Sequence, residues 1–429
     1  MNKKISLGAT LALIIIAMAL TVSVTMGVAM RYFNSNVTAL GEKQEMYNNL
    51  ADVDTAVRQQ YGNIDEARLR AALAEGYISS IDDPYAAYLS ASEYKKAQEL
   101  AEGKTTGFGI EIHLVSDGRV IVTLIHKDSA AEKAGMQKGD VITAVDGAAV
   151  TADNFESIAS KLDSATKVMI TAQRGDATNS YELTASPYAL VSVQERMIGT
   201  MGYIRIRGFH TNTTEQFKSA YSALEEQGAT AFIFDLRENE GGTLSSAEEI
   251  ISYLLPRGKY ATLTDNAGQV TELVAEDTHT MSVPSVTLVN GKTAGEAELF
   301  AGVLQELEMT TVVGEKTAGK GKVQEFFPLK VDSSALKLSV AQLSLLQGGP
   351  LQGNGVIPSW EAALSETQLT DFELLDEQSD PQLALAISVL DGSVNTTPTS
   401  ATESTGTTAA ATTTAATTQA TAATTKPAA

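Results

Sequence analysis

Four short stretches carry residues whose types and spacing suit chemistry. In Gly314-Glu315-Lys316-Thr317-Ala318-Gly319-Lys320-Gly321-Lys322-Val323-Gln324, Lys320 stands between two glycines. An amine held there and partly desolvated has a lowered pKa and serves as a general base toward a hydroxyl; the same pattern also describes a solvated turn. In Phe234-Asp235-Leu236-Arg237-Glu238-Asn239-Glu240-Gly241-Gly242, a buried strand enters a charged turn and a glycine pair before a helix at about Ser246. Glycines there let backbone N–H groups approach a ligand, and a helix N-terminus favours negative charge; a plain strand–helix connection fits the same residues. Val289-Asn290-Gly291-Lys292-Thr293-Ala294-Gly295-Glu296-Ala297-Glu298-Leu299-Phe300-Ala301 reads as strand, turn and helix start, where a nucleophile can stand exposed at a strand's C-terminal end. Thr106-Gly107-Phe108-Gly109-Ile110 sets two glycines around an aromatic before a strand. Consecutive N–H groups can then face a carboxylate, and the strand edge can take up an extended peptide.

Composition narrows what these stretches can do. The 429-residue chain has no cysteine and only four histidines, His113, His126, His210 and His279, scattered along it. Disulfides, thiolate zinc sites, iron–sulfur clusters and a cysteine nucleophile are excluded, and a histidine-built metal cage is not expected. Chemistry is expected from hydroxyl, amine, carboxylate or backbone groups, with no metal and no cofactor. The 31 Lys+Arg against 52 Asp+Glu leave a net charge of −21, a field that repels polyphosphate and sets nucleic acid aside as a partner. With 43% apolar residues there is material for real cores, and the length suits two or three domains.

The elements that must position these stretches follow in order. Lys3 and Lys4 precede an uncharged run from Ile5 to Met30, long enough as a helix to cross a bilayer. The expectation is a cytoplasmic stub and transmembrane anchor over 1–32, one N-terminal membrane-spanning helix that places the chain in the cell membrane with its bulk extracytoplasmic. Cleavage at Gly27-Val28-Ala29 is the alternative. Met46, Leu50, Val53 and Val57, then Leu69, Leu73 and Tyr77, give 33–104 a helical periodicity, with a break at Asp83-Pro84-Tyr85. Short β-branched runs such as Val120-Ile121-Val122, Val141-Ile142 and Val168-Met169-Ile170 mark 105–188 as β-rich. Over 189–392 strands alternate with helices: Ala231–Leu236, Ser246–Leu255, Val286–Asn290, Ala297–Leu307 and Thr310–Val313. That alternation predicts an α/β core with parallel pairing. The Thr- and Ala-rich tail over 393–429 cannot bury enough surface to fold and is expected to be disordered.

Taken together, the stretches resemble known families. The Gly107–Ile110 loop is followed by Ser129-Ala130-Ala131-Glu132-Lys133-Ala134-Gly135-Met136, Lys138-Gly139-Asp140-Val141-Ile142 and Val145-Asp146-Gly147, and this segment resembles a PDZ domain. The resemblance implies that Gly107, Phe108, Gly109 and Ile110 capture a partner's C-terminal tail, together with a later helix near Asn154–Leu162. More widely, the chain resembles the carboxy-terminal processing peptidases, or tail-specific proteases. The likeness runs from Asp83-Pro84-Tyr85 through the PDZ segment, Leu236-Arg237 with Asn239 and Gly241-Gly242, and Gly314-Glu315 with Thr317, Gly319-Lys320-Gly321 and Gln324. It continues through Leu336–Val340, Gly353-Asn354-Gly355-Val356-Ile357-Pro358 and Asp380-Pro381-Gln382-Leu383. It implies an α/β protease core of crotonase- or Clp-protease-like βαβ units with an inserted PDZ domain and a serine–lysine dyad. Lys320 would be the general base, Gln324 the residue that orients it, and Gly241 an oxyanion-hole amide. The implied partners are C-terminal segments of unfolded or tagged proteins, with a homodimer or an active paralogue as a further partner.

The chain departs from that family at Ala318, where it usually has an aromatic, at Leu346-Gln347-Gly348-Gly349, which replaces its usual Thr-Pro-containing turn, and decisively at one further position. The family's turn there reads Ser/Thr-Ala-Ser-Ala-Ser/Ala-Glu with the middle serine as nucleophile, whereas the same frame here reads Thr293-Ala294-Gly295-Glu296-Ala297-Glu298. Losing a nucleophile removes most of the rate and leaves oxyanion-hole and binding effects. The resemblance therefore implies peptide binding with hydrolysis lost or impaired. The alternative is an active endopeptidase in which Lys320 activates a displaced hydroxyl such as Thr293. Glu296, beside position 295, is expected to approach Lys320 within ion-pair distance and keep its amine charged; favouring the helix start is its other reading.

Overall fold

The computed structural model describes residues 43–277 and 279–393, with Met26 in isolation. The chain divides between Asp82 and Asp83 into two compact units. In the first, residues 43–60 are helical and Glu66–Ile78 forms a second helix. Asp65 starts that helix by accepting the N–H groups of Ala67 and Arg68. Arg58 pairs with Asp54 one turn back and with Glu66 on the second helix.

The expected spanning helix over Ile5–Met30, apart from Met26, and the tail beyond Ser393 lie outside the described residues. Among the described residues no helix is long and apolar enough to cross a membrane, which corrects the expected single-pass location in the cell membrane. The continuous helix over 43–60 carries Asp52, Asp54 and Arg58 among its apolar residues. The apolar Pro381–Leu390 has ten residues, against the ~20 that a bilayer requires.

The second unit is built on a six-stranded sheet in the order Val193–Ile198, Met201–Ile206, Ala231–Asp235, Ser285–Val289, Thr311–Gly314, Trp360–Glu361. The first pair is antiparallel and every later pair parallel. Parallel pairing needs crossovers, and helices Thr213–Glu226, Leu244–Leu254 and Glu296–Glu306 fall between successive parallel strands. Ala231–Asp235 and Ser285–Val289 are buried along their whole length, as strands covered on both faces must be. Phe217, Tyr221, Phe232, Phe234 and Phe300 stack through the core beside them. This is the α/β core that the alternation of elements predicts.

A second, antiparallel sheet is organised on the long strand Ala335–Leu345, which pairs with Ala87–Leu89, Gly258–Asp265, Lys322–Pro328 and Gly349–Pro350. The loop that carries Lys320 runs from the parallel sheet at Gly314 into this second sheet at Lys322.

The β-rich segment is an insertion closed at its base. Lys104–Gly107 and Ser186–Ala189 pair as a two-stranded ribbon that brings its two ends together. Above the ribbon, Ile110–Leu114, Val120–Ile125, Val141–Val145, Lys167–Arg174 and Ala177–Thr184 form one antiparallel sheet in that order. Val122, Val145, Ile170 and Leu183 centre its own apolar core. Arg207 of the α/β core pairs with Glu111 of the insertion and with Glu373, and Arg205 also pairs with Glu373.

Candidate active site

Two strand ends in the parallel sheet carry the turns singled out in the sequence, and hydrogen bonds lock the turns together. Glu238 accepts from Asn290 Nδ2 at 2.8 Å and from Lys292 Nζ at 2.7 Å, while its own N–H donates to Asn290 Oδ1. The Ala294 N–H donates to the Asn239 carbonyl. Behind them Asp235 and Arg237, both almost fully buried, form a bidentate pair, and Arg237 reaches Asp380 at 2.8 Å. Burial works against the Asp235 carboxylate, yet the Arg237 guanidinium overrides it and holds its pKa below the ordinary value.

Thr293 belongs to this lock. Its hydroxyl donates to the Leu236 carbonyl at 2.9 Å and accepts the Asn290 N–H at 3.0 Å, and its side chain is fully buried. The alternative of a displaced nucleophile at Thr293 meets a hydroxyl committed to the turn and facing backbone.

Gly295 stands at the N-cap of helix Glu296–Glu306 with φ +60 and ψ −123, a conformation that costs a residue with a side chain about 1–3 kcal/mol. A Cβ built there would meet the Glu240 carbonyl at 3.5 Å and Gly241 Cα at 3.8 Å, ordinary contact distances beside the glycine pair. The position read as that of the nucleophile thus faces the Gly241-Gly242 turn and has room for a side chain.

Glu298 joins this helix start to the loop of Lys320, a role that the sequence reading did not assign. One oxygen of its fully buried carboxylate accepts the N–H groups of Gly295 at 3.0 Å and Lys320 at 2.8 Å. The other accepts the Thr317 hydroxyl at 2.5 Å and the Gly319 N–H at 2.7 Å. The available signal was a glutamate three residues into a helix, where its side chain turns back over the N-terminus.

The Lys320 ammonium group lies 5.3 Å from the centre of the Tyr85 ring and makes no hydrogen bond or ion pair among the described residues. Gln324, expected to orient it, donates its amide to the Tyr85 carbonyl at 2.7 Å. Both residues thus meet Tyr85, Gln324 at its carbonyl and Lys320 over its ring. Lys320, Gln324, His210 and Lys337 open onto a cavity of about 910 Å³ that also reaches Gly242 and Glu296. Burial, reinforced by the charge of Lys320, pushes the half-buried Lys337 amine down, and burial lowers His210.

Two expectations about the rim of this cavity are corrected. The Gly241 N–H donates to Asn239 Oδ1 at 2.9 Å, so the turn uses the amide expected to serve an oxyanion. The expected ion pair between Glu296 and Lys320 does not form among the described residues. Glu296 turns its carboxylate toward the glycine pair and accepts the Gly242 N–H at 2.8 Å. Burial pushes the Glu296 carboxyl up, opposed by the Gly242 and Glu296 N–H groups and by the charges of Lys320 and Lys337.

In the insertion, Phe108 is buried in the apolar core, and Gly109, at φ +77, turns the chain into the strand Ile110–Leu114. Among the described residues that strand pairs only with Val120–Ile125, so its other side is a sheet edge. Ile110, Ile112 and Leu114 pack against the same core as Ile158 and Leu162 of helix Phe155–Ser164. Just beyond the strand, Asp371 accepts the N–H and hydroxyl of Ser116 at 2.7 and 2.6 Å.

Residues 200–362 match peptidase family S41, and residues 121–174 match a PDZ domain. The chain is 28% identical over 330 residues to a carboxyl-terminal-processing protease of Synechocystis, spanning 75% of this chain and 76% of that protein. It is 30% identical over 312 residues to the carboxy-terminal processing protease CtpA of Bacillus subtilis, spanning 71% of this chain and 66% of that protein. A crystal structure from Bacteroides fragilis assigned to the S41 proteases superposes with a TM-score of 0.57 at 17% identity, covering 80% of this chain and 97% of that one, a likeness of fold.

Proposed function

Since the chain belongs to peptidase family S41, among the carboxyl-terminal processing proteases, and carries a PDZ domain, we propose that it takes up unstructured protein C-termini without efficiently cleaving them. The PDZ loop Gly107–Ile110 and the open strand edge behind it receive the terminal carboxylate and an extended tail. Peptide hydrolysis at the Lys320 site is lost or impaired. The observation that carries this reading is position 295: the turns, the lysine loop and the cavity are assembled around it, and it holds glycine. The protein then acts as a binding module for protein tails, alone or beside an active paralogue.

Two measurements test the reading. An unstructured polypeptide with an apolar C-terminus should remain intact in the presence of the full chain; cleavage that Lys320→Ala abolishes would overturn the loss of hydrolysis. A peptide with a free C-terminal carboxylate should bind at least tenfold more tightly than its amidated form, since an N–H cradle for a carboxylate loses a charge-assisted contact worth roughly 1.5–3 kcal/mol. Equal affinities would remove the PDZ role.

A further inference from the structure

Glu296 follows the nucleophile position directly, and its side chain lies among the groups that an oxyanion would use. The Gly242 N–H donates to Glu296 Oε2 at 2.8 Å, and the residue's own backbone N–H bears on the same carboxylate. A Cβ on Gly241 would overlap Glu296 Oε2 and stand 3.1 Å from Glu296 N, so the glycine turn, the amide of residue 296 and the carboxylate share one small volume. Backbone N–H groups converging in a water-poor pocket are what stabilises negative charge developing on a carbonyl oxygen. Keeping a permanent carboxylate there is unfavourable: Glu296 is only 7% exposed, and Lys320 and Lys337 act on it without forming an ion pair among the described residues.

We propose that Glu296 is a resident carboxylate that occupies the anion-binding point beside Gly242, closing the site to a developing oxyanion independently of the missing hydroxyl. This rests on the proposed loss of hydrolysis and deepens it: Glu296 is a second obstacle to hydrolysis beside the glycine at 295. A hydroxyl placed at 295 fits the available space but meets an amide already engaged. A substrate carbonyl reaches that amide only by displacing the carboxylate.

The test compares the full chain with G295S, E296A, G295S/E296A and G295S/E296Q on an unstructured polypeptide with an apolar C-terminus. G295S is expected at background. G295S/E296A is expected about 100-fold or more above it, the size of losing one oxyanion donor. G295S/E296Q should remain at the G295S level, because the amide oxygen still accepts from Gly242. Occupancy is read without catalysis from the Gly242 amide resonance, expected downfield in the unmodified chain and shifted upfield in E296A. Equal and measurable rates for G295S and G295S/E296A overturn the proposal, as does a Gly242 resonance that E296A leaves unmoved. If no variant cleaves, the resonance alone decides. Cleavage by the unmodified chain that K320A abolishes refutes the loss of hydrolysis, while the resonance still decides the role of Glu296.

Discussion

At the scale of single residues, the two carboxylates of one helical turn do opposite work. Glu298 is fully buried and satisfied by three backbone N–H groups and a hydroxyl. Each buried donor left without a partner costs about 1–3 kcal/mol, so Glu298→Ala should lower the unfolding free energy in urea by on the order of 3–5 kcal/mol. Glu296 is buried with its pKa raised. A carboxyl whose folded pKa exceeds its unfolded value favours folding while protonated and loses that contribution as pH rises from the unfolded pKa through the folded one. Glu296→Ala should therefore gain stability relative to the unmodified chain as pH is raised from 4.5 toward neutrality. Parallel stability–pH curves for the two proteins would contradict this.

At the scale of elements, the strand end Ala231–Asp235 is pinned by Arg237, whose guanidinium joins Asp235 to Asp380 beside the N-terminus of helix Pro381–Leu390. Removing one partner of a buried pair leaves an uncompensated charge, so Arg237→Ala should cost about 3–5 kcal/mol, and Lys should not rescue it because it lacks the bidentate fork. The parallel core was legible because its elements announce themselves locally. The apolar run from Ala231 and the periodic stretch from Ser246 reappear as Ala231–Asp235 and Leu244–Leu254. The second sheet was not legible as a sheet, since Ala335–Leu345 takes partners as remote as Ala87–Leu89 and Gly258–Asp265, and register across such separations has no local code. The site was legible in its membership and less so in its contacts. Sequence placed Glu296 near Lys320, but side-chain direction depends on the turn it faces, and the glycine pair drew the carboxylate away from the amine.

At the scale of the whole molecule, the PDZ insertion and the α/β core meet through Arg207, which pairs with both Glu111 and Glu373. Although burial opposes it, Arg205 and Arg207 hold the Glu373 carboxyl down to about 2. That lowered value contributes stability above pH 4.5, roughly 3 kcal/mol, which is lost as pH falls toward 2. In Glu373→Gln this part of the acid dependence should vanish, read as a flatter unfolding free energy below pH 4.5. The insertion has its own apolar core and a ribbon that closes its ends, so a fragment spanning residues 104–189 should unfold cooperatively by circular dichroism and retain tail binding. A fragment that is molten or fails to bind would mean that the core completes it. The shared carboxylate of Glu298 has a consequence for descent. Any lineage with this architecture that discarded the loop of Lys320 would leave the buried Glu298 carboxylate with the Gly295 N–H as its one remaining partner among the four it has here. Foldability by itself then favours keeping the loop of Lys320, whatever chemistry the site performs.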